Sequence, residues 1–227
     1  MIFNQIMQEY SRKTEDRIGE EIHDSNPKKS NPISSLIDEK INSGNHVWVM
    51  TDWHFLKWNK ETKSVYQNKA MSEIIRNCQE MIRENDLLIF LGDLCDGEVE
   101  RKAEIAAFIE KIPGTKILVR GNNDLFDDKW YLDHGFKYVT PKFIWDDVIF
   151  SHRPEDNDNK VNVHGHMHNA RSYYLGEVSK YDNQIDIAWL GARKKPVDIK
   201  ECIRKQPEYA KHVTFINHPW EPKKNKQ

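Results

Sequence analysis

Seven residues share one kind of chemistry: Asp52, His54, Asp93, Asn122, His152, His166 and His168. Each offers an oxygen or an imidazole nitrogen. Such donors have intermediate hardness and suit Mn, Fe, Zn or Co rather than a thiolate-loving metal. Asp52 and His54 stand two apart, as do His166 and His168, so on extended chain each pair faces one way. Gly165, just before the second pair, permits a tight backbone approach. Ions bound by such a set lower the pKa of water toward ~7 and generate a nucleophile with no separate strong base.

These residues need rigid elements to aim them, and the surrounding pattern supplies candidates. Val47–Met50 empties into Thr51-Asp52, Leu87–Leu91 into Gly92-Asp93, and Lys116–Val119 into Gly121-Asn122-Asn123-Asp124. All three read as buried strands running into polar loops. Between them, about Asn68 to Arg83 is helical, with Ile74, Ile75, Cys78, Met81 and Ile82 on one side. Glu98 to Lys111 is also helical, with Ile105, Phe108, Ile109 and Ile112 inward. Three strand–loop–helix units in succession predict a parallel sheet with helices packed on it.

After residue 135 the pattern changes to short strands: Lys142–Trp145, Val148–Ser151, Val161–His164, Tyr173–Glu177 and Gln184–Ala188. Asp146-Asp147 and Asp182-Asn183 supply hairpin turns. Asp198 is placed to cap a helix over 199–204, before a last strand around Val213–Ile216. Upstream, residues 1–17 have a loose amphipathic spacing, and Ser25 to Pro32 form a turn-rich breaker. Pro32 then opens a helix to about Asn42, with Asn31 as cap and Gly44 as stop. An α/β first half joined to a β-rich second half predicts a layered sandwich, two sheets facing each other with helices outside.

In order and spacing, the motifs resemble those of the calcineurin-like metallophosphoesterase superfamily, which run D-x-H, G-D, G-N-H-D/E, a lone H and G-H-x-H. Here they are Asp52-Trp53-His54, Gly92-Asp93, Gly121-Asn122-Asn123-Asp124, His152 and Gly165-His166-Met167-His168. One short motif is weak; five in order are specific. The resemblance implies an α/β fold, the αββα sandwich of two mixed sheets with helices outside. It also implies a division of labour. Asp52, His54 and His168 would hold one ion, Asn122, His152 and His166 the other, and Asp93 would bridge them. Two divalent ions, Mn favoured among Mn, Fe, Zn and Co, would lie about 3.5–4 Å apart around a bridging hydroxide and clamp an in-line displacement at phosphorus. They outweigh the two ligand carboxylates, so the centre stays cationic. The expected activity is hydrolysis of phosphodiester or phosphomonoester bonds.

One position departs from the common pattern. Where most of the superfamily has a His that assists the leaving group, this chain has Asn123. Asn donates a hydrogen bond but supplies no proton at neutral pH. That tilts the expectation toward phosphodiesters, or toward leaving groups that depart easily. Asn123 and Asp93 are the expected catalytic residues, and Asn123 and Arg153 the expected substrate contacts.

Other residues have plainer readings. Isolated His residues are ordinarily surface or core groups, so His23, His46, His134, His212 and His218 are set aside. His164 reads as a strand-end residue or a support for the ligands, and Asp124 as an acid that orients its loop. Arg120 and Arg153 lie beside ligands, where contact with phosphate competes with an ordinary surface role. Trp53, Phe55 and Trp58 read as packing residues before a base-stacking wall.

The 227 residues carry a net charge of -2, which gives no global basic field to gather nucleic acid. A small phosphoester is therefore the expected partner, a nuclease on the same fold is a rival, and a catalytically silent metal-binding scaffold for a protein partner is another. Oligomeric state stays open. No stretch approaches ~18 consecutive apolar residues, so no membrane span is expected. Cys78, Cys95 and Cys202 are odd in number and widely spaced, which fits reduced thiols and a cytoplasmic setting. The expected organisation is a helical extension over 1–45, a phosphoesterase domain over 46–220 and a basic tail over 221–227.

Overall fold

A computed structural model describes residues 31–56, 58–59, 64–65, 69–95, 101–155, 161–167, 184–187 and 192–204. The chain divides into two compact units, Met1–Asn31 and Pro32–Gln227, and the fold below is that of the second.

The first sheet has five strands. In chain order they are β1 (Val47–Met50), β4 (Leu87–Phe90), β5 (Thr115–Val119), β6 (Phe136–Thr140) and β11 (Val197–Asp198). Their order across the sheet is β11-β1-β4-β5-β6, all parallel except the antiparallel edge strand β11. The second sheet runs β10-β9-β8-β7, from β7 (Lys142–Trp145), β8 (Val148–Ser151), β9 (Val161–His164) and β10 (Gln184–Asp186). Only its β7–β8 hairpin is antiparallel, with Asp146 in the turn at φ 50°. A small antiparallel hairpin joins β2 (Trp58–Asn59) to β3 (Ser64–Val65).

Strand periodicity explains the layers. In β1 and β4, Val47, Val49, Leu87 and Ile89 enter one core with Phe143, Phe150, Val163 and Ile185 of the second sheet. Their neighbours Met50, Leu88 and Phe90 face the other way, onto α2 (Lys69–Met81) and α3 (Lys102–Glu110) through Ile74, Cys78, Ile105 and Ile109. Both faces are buried, which is why these strands read as unbroken apolar runs. α4 (Asp128–Asp133) adds Tyr131 to that outer layer, capped by the Asp127 side chain accepting from Trp130 N. The expected sandwich of two mixed sheets with helices outside is therefore the one built.

α1 (Pro32–Asn42) and α5 (Ile199–Arg204) join the inter-sheet core through Ile33, Leu36 and Ile37, and through Ile199 and Cys202. Residues 32–42 thus belong to the same compact unit as the sheets. Asp198 Oδ1 accepts from Lys200 N, the cap that the sequence places there. α2 and α3 end earlier than the sequence predicts, at Met81 and Glu110, and its pattern does not announce α4, β2, β3, β6 or β11. Residues 1–17, the segments Tyr173–Glu177 and Val213–Ile216, and the turn at Asp182-Asn183 fall outside the described residues.

Candidate metal centre

β1, β4, β5, β8 and β9 end at one rim, because parallel strands deliver their carboxyl ends to the same side. The residues that follow them are Asp52, Asp93, Asn122, His152 and His166 in turn. Ligand atoms of Asp52, His54 and Asp93 lie within 4.8 Å of one another, and so do those of Asp93, His152 and His166. Asp93 belongs to both groups and divides its oxygens between them. Its Oδ1 is 3.4 Å from His152 Nε2, and its Oδ2 is 3.5 Å from His54 Nε2. Asn122 Oδ1 lies 3.2 Å from His152 Nε2, within the second group. His168 falls outside the described residues.

The donor set fits a cation. His152 Nδ1 donates to Leu91 O at 2.8 Å, which leaves the Nε2 lone pair of the neutral ring facing inward. Nε2 also meets His166 Nδ1 at 3.1 Å. Acceptor atoms of Asp93, Asn122, His152 and His166 are therefore gathered in one place, an arrangement suited to a bound cation. The His152 ring registers the demand: burial pushes its pKa down, but the bond and charge of Asp93 raise it overall. Burial and the neighbouring charges of His152 and Arg153 depress His166 to about 4, so its ring is neutral and free to ligate near pH 7. Asp93 is well below the usual carboxylate range, because His152, the Asn123 amide and His54 outweigh the cost of burial.

The glycines of the motifs mark where backbone and ligands touch. A Cβ on Gly121 would lie 2.3 Å from both the amide nitrogen and Oδ1 of Asp93. One on Gly165 would lie 1.9 Å from Thr51 Oγ1 and 2.7 Å from Asp52 Oδ2. Only hydrogen fits at either place. Asp52 Oδ2 is fixed by the Thr51 hydroxyl at 2.8 Å and the His166 amide at 2.9 Å, which ties the first motif to the last.

Over residues 46–226 the sequence matches the Calcineurin-like phosphoesterase family. The chain belongs to that family. A calcineurin-like phosphoesterase fold of this kind recurs in the protein of unknown function AQ665 from Aquifex aeolicus. The two are 21% identical with a TM-score of 0.52, over 70% of this chain and 98% of that one. Nuclease MPE of Pseudomonas putida is a looser match, 18% identical with a TM-score of 0.43, over 55% and 62% of the two chains. In sequence, the uncharacterized protein MJ1445 of Methanocaldococcus jannaschii is 26% identical over 183 residues, 75% of this chain and 96% of its own.

The remaining positions in this calcineurin-like chain divide into supports and exposed groups. Asp124 is buried and accepts the amides of Asp93, Leu94 and Gly121. Asn123 clamps Asp93, its amide on Oδ1 at 2.9 Å and its Nδ2 on Oδ2 at 2.7 Å. Arg120 is occupied by Asp128 and the carbonyls of Asp124 and Phe126, so it is a structural residue rather than a phosphate contact. Arg153 is exposed. Trp53 and Phe55 pack in the core, as the plainer reading expects, and the Trp58 side chain falls outside the description. His164 is fully buried; its Nδ1 donates to Gly165 O at 2.9 Å and burial lowers its pKa to about 4.

Two supports escaped the sequence reading. Thr51 had a usable signal, a hydroxyl directly before the first ligand at a strand end. Arg193 had none: it lies 141 residues from Asp52, yet its Nε donates to the Asp52 carbonyl at 3.3 Å.

Proposed function

We propose that this protein hydrolyses small phosphoesters at a centre of two divalent metal ions, Mn favoured, with a tilt toward phosphodiesters. The observation that supports this most directly is the Asp93 carboxylate, one oxygen turned to each ligand group. Asp52, His54 and His168 would hold one ion and Asn122, His152 and His166 the other, with Asp93 between them. When bound, the ions supply Lewis acidity and an activated water for in-line displacement at phosphorus.

The chain's own residues orient and hold. Leu91 O fixes the His152 ring so that Nε2 is the ligating nitrogen. Thr51 and the His166 amide hold Asp52 Oδ2. Arg153, whose charge bears on His166, would meet a phosphoryl oxygen. Asn123 donates hydrogen bonds but no proton, so the reaction favours groups that leave without protonation. That carries the tilt to diesters of acidic alcohols. Three buried free cysteines fit a reducing, cytoplasmic setting.

Chelation should abolish hydrolysis of bis(p-nitrophenyl) phosphate, and Mn²⁺ should restore it. Asp93→Asn or His166→Ala should remove activity while the circular dichroism spectrum stays native. Turnover indifferent to chelation would sink the two-ion reading.

A further inference from the structure

The turn at residues 192–195 is held more firmly than a surface connection requires. Ala192 O accepts the Thr51 amide at 3.3 Å, and Ala192 N donates to Ile187 O at 3.0 Å. Asn77 Nδ2 from α2 donates to Lys194 O at 2.9 Å. Between these pins stands Arg193, half-buried, with its Nε on the carbonyl of Asp52. Among the described residues neither of its Nη groups has a hydrogen-bond partner. A guanidinium is a five-donor fork built for oxyanions. Here one donor anchors the fork beside the first ligand group, and four N–H bonds remain unassigned.

We propose that Arg193 is a substrate-contacting residue that binds a non-bridging phosphoryl oxygen at the Asp52 side of the centre. This rests on the phosphoesterase reading above. The charge of Arg153 bears on His166 in the second ligand group, whereas Arg193 is bonded to Asp52 in the first. Arg120, the third arginine of the rim, is spent on Asp128 and two carbonyls. The bonds that pin the backbone on either side of Arg193 lower the entropic cost of using its guanidinium to bind an oxyanion.

The test uses the full chain loaded with Mn²⁺ and inorganic phosphate as probe. Isothermal titration should show phosphate affinity falling about tenfold to a hundredfold in Arg193→Gln, the usual effect of removing a charge-assisted bond. Arg193→Lys should recover part of it, since Lys keeps the charge but not the fork. Bound Mn²⁺, measured by atomic emission, should be unchanged in both. On bis(p-nitrophenyl) phosphate, KM should rise more than kcat falls. Unchanged phosphate affinity would overturn the assignment, and so would loss of Mn²⁺ from Arg193→Gln, which would make the residue a prop for Asp52. The titration needs no turnover, so a wild-type protein that binds phosphate through Arg193 yet hydrolyses nothing would refute the activity and leave this site standing.

Discussion

Asp124 is not itself a candidate ligand, yet it holds the backbone of one, Asp93, and should control the centre. Its Oδ2 accepts the amides of Asp93 and Gly121, each at 2.8 Å, and its Oδ1 accepts that of Leu94 at 2.9 Å. One carboxylate thus staples the Gly92-Asp93 loop to the Gly121-Asn122 loop. Asp124→Ala strands three buried amide hydrogens at roughly 1–3 kcal/mol each, so allowing for relaxation the metal-free protein should lose about 4 kcal/mol. Asp124→Asn keeps one oxygen for the pair at Oδ2 but turns an NH₂ toward Leu94, for about 2 kcal/mol. Mn²⁺ affinity should fall about tenfold to a hundredfold, as for other groups that orient ligands.

The pH dependence is a separate signature. Burial lifts the Asp124 carboxyl to about 6, aided by the charge of Asp93 and opposed by the amides of Gly121 and Leu94. The unfolded value is near 3.9. A carboxyl raised on folding binds more protons in the native state, so its stabilisation is complete below pH ~4 and is lost as pH rises through 6. That change is worth roughly 3 kcal/mol. Asn does not titrate, so the stability gap between wild type and Asp124→Asn should narrow from pH 4.5 to pH 7. Titrating groups that do not interact with Asp124 are common to both proteins and cancel. Urea unfolding of the metal-free proteins measures it. A gap that is flat with pH, or an Asp124→Ala protein within about 1 kcal/mol of wild type, would refute the reasoning.

Gly165→Ala should lower stability by about 1–3 kcal/mol through its clash with Thr51 Oγ1. Adding Thr51→Ala should return part of the melting temperature, and no rescue would mean the contact is not the cause. Asp86 is buried at the opposite end of β1, where it accepts His46 N, Trp48 Nε1 and Arg83 N. Burial pushes its carboxyl up, but those bonds hold it below the ordinary value, so its stabilisation is present above pH ~4 and lost in acid. Asp86→Ala should cost about 3 kcal/mol at pH 7 with Mn²⁺ affinity unchanged; an unaltered urea midpoint would contradict it. The Asp93-supported proton on His152 competes with metal, so Mn²⁺ affinity should rise with pH by up to about tenfold per unit until that ring is neutral. An affinity flat between pH 6 and 8 would exclude the competition.

The elements that the sequence announced were those with a strong period. β1, β4 and β5 are apolar on both faces and end abruptly at polar loops, so both the strands and the residues after them could be read off. β6 hides because only Phe136 is buried and its other positions are half-buried or exposed; no alternation survives to mark it. β11 is two residues long and exists only because Val197 and Asp198 pair with Val49 and Trp48, a long-range fact with no local trace. Arg193 failed for the same reason. Its partner is a backbone carbonyl, and every residue type has one.

The motifs themselves carried more than a list of ligands. Among the described residues, the non-glycine positions with positive φ include Asp52, His54, Asp93 and His166, at 56°, 49°, 57° and 69°. Left-handed backbone is unfavourable for L-residues and persists where the surroundings impose it. Here the surroundings are a continuation of the parallel pairing of β1 with β4 past the ends of both strands. Leu91 N donates to Met50 O, Asp52 N to Gly92 O, His54 N to Asp93 O and Phe55 N to Leu94 O. Phe55 and Cys95 then make a parallel bridge. The two loops are therefore zipped together with their backbones turned, so Asp52 and His54 reach the rim from left-handed backbone rather than from the extended chain that their spacing predicts. Asp124 holds this pair of loops to the third, and Gly165 lets the fourth close on Thr51. The strained conformation is what brings an aspartate and a histidine from one strand end to the same point as an aspartate from the next. The sandwich core behind it is large enough to hold that strain in place.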